Sequence, residues 1–136
     1  MKIRKIDHIS LAVRNLEKAR QAYEDILGLE LHSTYVSEEE KIRVARYRVG
    51  DMWLELMEPT GEGDVSRFLD KRGEGLFVIS YEVPDVDAAL AELKDKGYKP
   101  VDDKPRHLLG SRYAFINRPK ELCGILSEVL DYREKE

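Results

Sequence analysis

Apolar and polar residues alternate along Ile6-Asp7-His8-Ile9-Ser10-Leu11-Ala12-Val13. Ile9, Leu11 and Val13 fall on one side, His8, Ser10 and Ala12 on the other. That period of two predicts a strand with one apolar face and one small, polar face that carries an imidazole. About seventy positions later the pattern recurs in Val78-Ile79-Ser80-Tyr81-Glu82-Val83. In register, Ile9 meets Ile79, Ser10 meets Ser80 and Val13 meets Val83, but His8 meets Val78.

Between these two strands the pattern switches to helical spacing. Asn15 is the expected N-cap of a helix in which Leu16, Ala19, Tyr23, Ile26 and Leu27 recur along one face, and Gly28 closes it. A strand is expected over 29–36, a charged turn over 37–41, and a hairpin of 42–49 with 52–57 across Gly50-Asp51. The run Glu58-Pro59-Thr60-Gly61-Glu62-Gly63 is the clearest break. A short helix over 64–71 and the stretch Arg72-Gly73-Glu74-Gly75 link the halves. The second unit then opens at Leu76, with a helix over 86–96 capped by Asp85 and ended by Gly97, and strands over 99–101, 112–117 and 124–130. Arg43-Val44-Ala45-Arg46-Tyr47 aligns with Arg112-Tyr113-Ala114-Phe115-Ile116, and Glu55 with Glu128. A repeat of about 65 residues is too small to bury a core alone, so two such sheets are expected to close around one cavity.

Bulk properties narrow the class. The chain has 136 residues, 42% hydrophobic and 37% charged, which suits one globular domain. No apolar run reaches the roughly 20 residues of a membrane span, and the basic N-terminus lacks an apolar signal core. A single cysteine, Cys123, excludes an internal disulfide and fits a reducing cytoplasm. A net charge of −4 without a basic block argues against nucleic acid as partner.

Three side chains on the polar faces carry candidate chemistry: His8, Glu55 and Glu128. A charged residue inside an apolar strand is expensive unless it is paired or coordinated. Strand residues that face water, or a satisfied histidine, are the bland alternative. Repeat-equivalent placement favours a shared interior site. One histidine and two carboxylates suit a first-row divalent ion better than a closed structural zinc site.

Five stretches resemble the methylmalonyl-CoA epimerase family of the vicinal oxygen chelate superfamily. They are Asp7-His8-Ile9-Ser10, Tyr23-Glu24-Asp25-Ile26-Leu27-Gly28-Leu29, Leu54-Glu55-Leu56-Met57-Glu58-Pro59, the linker Phe68-Leu69-Asp70-Lys71-Arg72-Gly73-Glu74-Gly75, and Cys123-Gly124-Ile125-Leu126-Ser127-Glu128. The resemblance implies an α+β fold of two paired βαβββ modules forming a cupped mixed sheet around a central cleft. It is read as one domain over 1–136, with module one about 1–60, a linker about 61–75 and module two about 76–136. It also implies a homodimer and a divalent metal, whether cobalt, manganese, nickel or zinc.

The family's four metal ligands fall on His8, Glu55, Val78 and Glu128. Valine coordinates nothing, so binding is expected to be weakened or lost. Glu128 and Glu55 are the expected catalytic carboxylates. Arg46, Tyr113, Ser10 and Ser80 are expected to face the substrate, a small molecule of the acyl-CoA type. Arg43, Arg48, Arg112 and Lys120 are candidates for phosphate contacts, against the alternative of a solvated face. The implied activity is epimerase-like: metal-assisted removal of the proton α to a thioester. The alternative is a divergent member, either a lyase on another substrate or a non-catalytic binder.

Overall fold

The computed structural model of the protein describes residues 1–117 and 119–132. The chain divides into two compact units, His8–Phe77 and Met1–Asp7 with the chain from Val78 onward. The first unit holds most of β1 (Lys5–Ala12), then α1 (Leu16–Ile26), β2 (Leu31–Ser37), β3 (Ile42–Val49), β4 (Met52–Pro59) and α2 (Asp64–Arg72). The second holds most of β5 (Gly75–Glu82), then α3 (Val86–Asp95), β6 (Arg106–Leu108), β7 (Ser111–Phe115), a 3-10 turn at Pro119–Leu122 and β8 (Leu126–Asp131). The class is α+β, and each unit runs β-α-β-β-β, as the repeat and the resemblance imply.

In the first unit β1 pairs in parallel with β4, which continues antiparallel to β3 and then β2. Asn15 caps α1 through a bond from the Lys18 N–H, and Gly28, with φ +67°, follows the helix end in the left-handed region. The apolar faces of α1 and the sheet bury Val13, Leu16, Ala45, Tyr47 and Leu56. Tyr47 is wholly buried, and its hydroxyl donates to Glu24 at 2.7 Å. Burial first, and Glu24 second, push the phenol up to about 12. The same bond, with Arg20 behind it, lowers Glu24.

The second unit repeats this plan. β5 pairs in parallel with β8, β8 antiparallel with β7, and β7 with β6. Asp85 caps α3 and accepts from the Asp87 N–H, while the core is Val83, Val86, Ala89, Leu90, Ala114 and Val129. Equivalent bonds anchor the helices. The Val13 N–H donates to the Met57 carbonyl and the Val83 N–H to the Leu130 carbonyl, each at 2.9 Å. The first N–H of α1 (Leu16) meets Glu58 and that of α3 (Val86) meets Asp131. An arginine grips each of those carboxylates, Arg43 on Glu58 and Arg112 on Asp131. Met1–Asp7 belongs with this unit: the Arg4 N–H donates to the Glu82 carbonyl, Asp7 accepts from Tyr132, and the terminal amine pairs with Glu92.

The structure moves two expected strands. Residues 99–101 form no strand: Pro100 has no N–H for a ladder, and Pro105 delays pairing until β6. Asp102 imitates a ladder partner instead, donating its N–H to Phe115 O and accepting the Phe115 N–H on its side chain, both at 3.0 Å. β7 ends at Phe115 rather than at 117 because the Asn117 side chain takes over the bonding, to Ile125 O at 2.9 Å and from the Ser127 N–H at 2.7 Å.

Candidate functional site

Parallel pairing of β1 with β4 sets Ser10 opposite Glu55, and the antiparallel partner β3 sets Arg46 on the other side. Leu54 and Leu56 turn toward the α1 core, so alternation sends Glu55 to the opposite face. Its carboxylate is buried, with 4% of the residue exposed. Oε1 accepts from Ser10 Oγ at 3.4 Å and lies 3.7 Å from His8 Nε2. Oε2 accepts from Arg46 Nε at 2.9 Å. A buried carboxylate left without partners costs several kcal/mol; the guanidinium offsets that here. Arg46 is itself held from a second direction, its guanidinium carbon 3.9 Å from the centroid of the Trp53 ring. Arg48 lies over the same ring at 4.7 Å, and His32 meets it edge-on at 4.7 Å.

The second unit reproduces part of this. Ser80 faces Glu128 in the parallel register, and Ser80 Oγ donates to Glu128 Oε2 at 2.6 Å. Glu128 is buried too. Across β7, however, the residue opposite Glu128 is Phe115, where the first unit has Arg46. The place of Trp53 is taken by Leu126, in register with Val78, as Trp53 is with His8. Tyr113 shares a strand face with Phe115, the rings edge-to-face at 6.1 Å, and Arg106 lies over Phe115 at 4.8 Å. The scaffold is therefore repeated, and the chemistry set on it is not.

Of the expected site residues, the first unit brings His8, Ser10, Arg46 and Glu55 together. The second brings Ser80 and Glu128 together, with Tyr113 on the same sheet face. Trp53 and Phe115 escaped the sequence reading, although alternation from Glu55 and from Tyr113 places each on the site face. Two of the candidates for phosphate contacts are engaged in ion pairs. Arg43 pairs with Glu58 at 3.0 Å, and Arg112 is held by Asp131, Asp87 and Asp85. Arg48 donates through Nε to the Gly50 carbonyl. The Lys120 side chain lies outside the described residues.

As a test for a metal, His8 Nε2 and Glu55 Oε1 approach closely enough to meet on one ion, but the other Glu55 oxygen is held by Arg46. Val78, buried where the repeat would set a second imidazole, offers no donor atom. Among the described residues no group of three or more His, Cys, Asp or Glu could hold a metal ion. The donors present do not make a complete ligand set.

Four likenesses to known proteins accompany this geometry. The family model for the Glyoxalase/Bleomycin resistance protein/Dioxygenase superfamily matches residues 7–115. An uncharacterized protein of Bacillus subtilis, YqjC, is 36% identical over 129 residues, covering 93% of this chain and 91% of that protein. The ethylmalonyl-CoA/methylmalonyl-CoA epimerase of Cereibacter sphaeroides is 29% identical over 130 residues, 93% of this chain and 97% of that enzyme. Among solved structures, a Streptomyces coelicolor methylmalonyl-CoA epimerase variant in complex with 2-nitronate-propionyl-CoA superposes with a TM-score of 0.88 at 35% identity, covering 96% of this chain and 95% of that one. Among the described residues no helix is long and apolar enough to cross a membrane.

Proposed function

The chain belongs to the glyoxalase/bleomycin resistance protein/dioxygenase superfamily, and from that premise we propose that it is an epimerase-like isomerase acting on a carboxylated acyl-CoA of the methylmalonyl-CoA type. The observation that carries the reading is the pair of buried, serine-bonded glutamates at equivalent positions of the two units, Glu55 with Ser10 and Glu128 with Ser80. They stand in a chain 35% identical, over nearly its whole length, to an epimerase caught with an acyl-CoA analogue.

The two carboxylates have different neighbours across the strand. Glu55 is committed to Arg46, and protonating it would break an ion pair. Glu128 has Phe115 rather than a guanidinium across the strand, and a neutral hydroxyl donor in Ser80. Glu128 is the proposed base that takes the α-proton, leaving an enolate of the thioester; a proton returned to the opposite face of that carbon completes the inversion. Glu55, a carboxylate paired with Arg46, holds no proton to return; its proposed part is to fix the Arg46 guanidinium. Tyr113, Ser10 and Ser80 are proposed to contact the substrate. A divalent ion such as cobalt, manganese, nickel or zinc would act as a Lewis acid when bound, with His8 and Glu55 as the donors the first unit would offer it. Because the ligand set is incomplete, none of these steps depends on it. The enzyme is proposed to work in the cytoplasm as a homodimer.

The test is solvent exchange. Methylmalonyl-CoA in deuterated water should lose its α-proton signal when the protein is added, and Glu128→Gln should abolish that loss while retaining a native circular dichroism spectrum. Absence of exchange in the wild type, with and without added cobalt or manganese, would refute the isomerase.

A further inference from the structure

We propose that Arg46 binds the free carboxylate of the substrate directly and without a metal, an inference that rests on the acyl-CoA reading above. Five observations point to it. The guanidinium is fixed in both position and plane, by Glu55 Oε2 on Nε at 2.9 Å and by the Trp53 ring at 3.9 Å. Among the described residues its hydrogen bonding goes to Glu55 alone, so the Nη1 and Nη2 edge is the part offered to a ligand. A planar guanidinium whose orientation is already set matches a carboxylate with two parallel bonds and loses little rotamer freedom in doing so.

The local charge also favours an anion. Arg46 and Arg48 both lie over Trp53, and Arg46 pairs with Glu55, so these three charged side chains carry a net positive charge. The side chain of Arg46 is 22% exposed: reachable, yet sheltered enough that water competes weakly for it. Finally, the arrangement does not come with the repeated scaffold. Phe115 and Leu126 occupy the matching places of Arg46 and Trp53, and Val78 withholds the donor that would complete a metal site.

Calorimetry in excess EDTA tests this with three probes: methylmalonyl-CoA, propionyl-CoA, which lacks the carboxylate, and free methylmalonate. Wild type should prefer methylmalonyl-CoA over propionyl-CoA by roughly tenfold to a hundredfold, the range of a charge-assisted contact. Arg46→Met should erase that preference and leave propionyl-CoA affinity in place; Arg46→Lys should keep only part of it. Because Arg46→Met strands the buried Glu55, the double variant Arg46→Met/Glu55→Gln supplies a folded control with the same expected loss. A preference that survives in either Met variant, or that appears only when cobalt or manganese replaces EDTA, overturns the proposal. If neither thioester binds but methylmalonate does, and does so through Arg46, the acyl-CoA reading fails and the carboxylate site stands. Methylmalonate binding wild type and both Met variants equally, or failing to bind wild type when the thioesters also fail, overturns the site itself.

Discussion

Replacing Arg112 by Met should destabilise the protein far more than replacing Arg43, although the two occupy the same place in the repeat. Arg112 has a side chain only 11% exposed and reaches Asp131 twice, at 3.1 and 2.7 Å, as well as Asp87 and Asp85 at 2.8 and 3.1 Å. Asp131 is 3% exposed, so removing the guanidinium takes the opposing charge from a buried carboxylate that still accepts from the Val86 N–H. Breaking a buried pair from one side costs about 3–5 kcal/mol, and the retained N–H places this case near the lower end. Arg43 has a side chain 55% exposed and makes one contact to Glu58 at 3.0 Å, an arrangement that contributes about 1 kcal/mol or less. For 136 residues the unfolding entropy is roughly 0.3 kcal/mol/K, so the expected shifts in Tm are roughly 10 °C for Arg112→Met and under about 4 °C for Arg43→Met. Differential scanning calorimetry at pH 7 measures both. Adding Asp131→Asn to Arg112→Met should recover part of the loss, since it removes the stranded charge. Equal shifts for the two arginines, or no recovery in the double variant, would show that burial of Asp131 does not set the cost.

Other outcomes follow from the same structure. The Tyr47 phenol, held at about 12 against an ordinary 10, contributes stability that is complete below pH 10 and is lost as pH rises through 12; about 1.4 kcal/mol should be gone by pH 11. Urea unfolding of Tyr47→Phe beside wild type at pH 9 and pH 11 checks this, and an alkaline loss of equal size in both proteins would rule it out. Val78→His should raise affinity for cobalt or manganese at least tenfold by restoring a donor; titration calorimetry showing no gain would mean that Arg46 keeps Glu55 from the ion.

Local chemistry made much of the fold legible. Asn15 and Asp85 announce their helices, Gly50-Asp51 its hairpin, and the alternation around Ile9 and Ile79 its strands. Setting Glu55 against Glu128, and Ser10 against Ser80, was legible in the repeat; that each glutamate faces a serine appears only with the strand registers, because equal offsets along paired strands give equal partners. What stayed hidden depends on side chains replacing backbone. Asn117 and Asp102 take ladder bonds that a period of two cannot reveal, and Pro105 displaces β6 from its expected place. The arginines were ambiguous for another reason. Arg43 and Arg46 lie three residues apart on one strand, yet only pairing with β4 decides that one meets Glu58 and the other Glu55. Trp53 went unnoticed because an aromatic residue in a strand ordinarily signals core packing; its company of three basic side chains exists only once β2, β3 and β4 are assembled.

The assignment of Met1–Asp7 to the unit that ends the chain has a consequence for biosynthesis. Arg4 leaves the ribosome 78 residues ahead of Glu82, whose carbonyl it engages. At translation rates of about 5–20 residues per second, that backbone waits roughly 4–16 s for its partner. Asp7 waits longer still for Tyr132, 125 residues away. Throughout that interval the nascent segment, with Ile3 and Ile6, lacks the backbone partner it meets in the folded unit, and an unpaired edge is where chains aggregate. Lys2, Arg4 and Lys5 are interleaved with those isoleucines, and their mutual repulsion keeps neighbouring nascent chains from pairing through this stretch before its own partner strand is made.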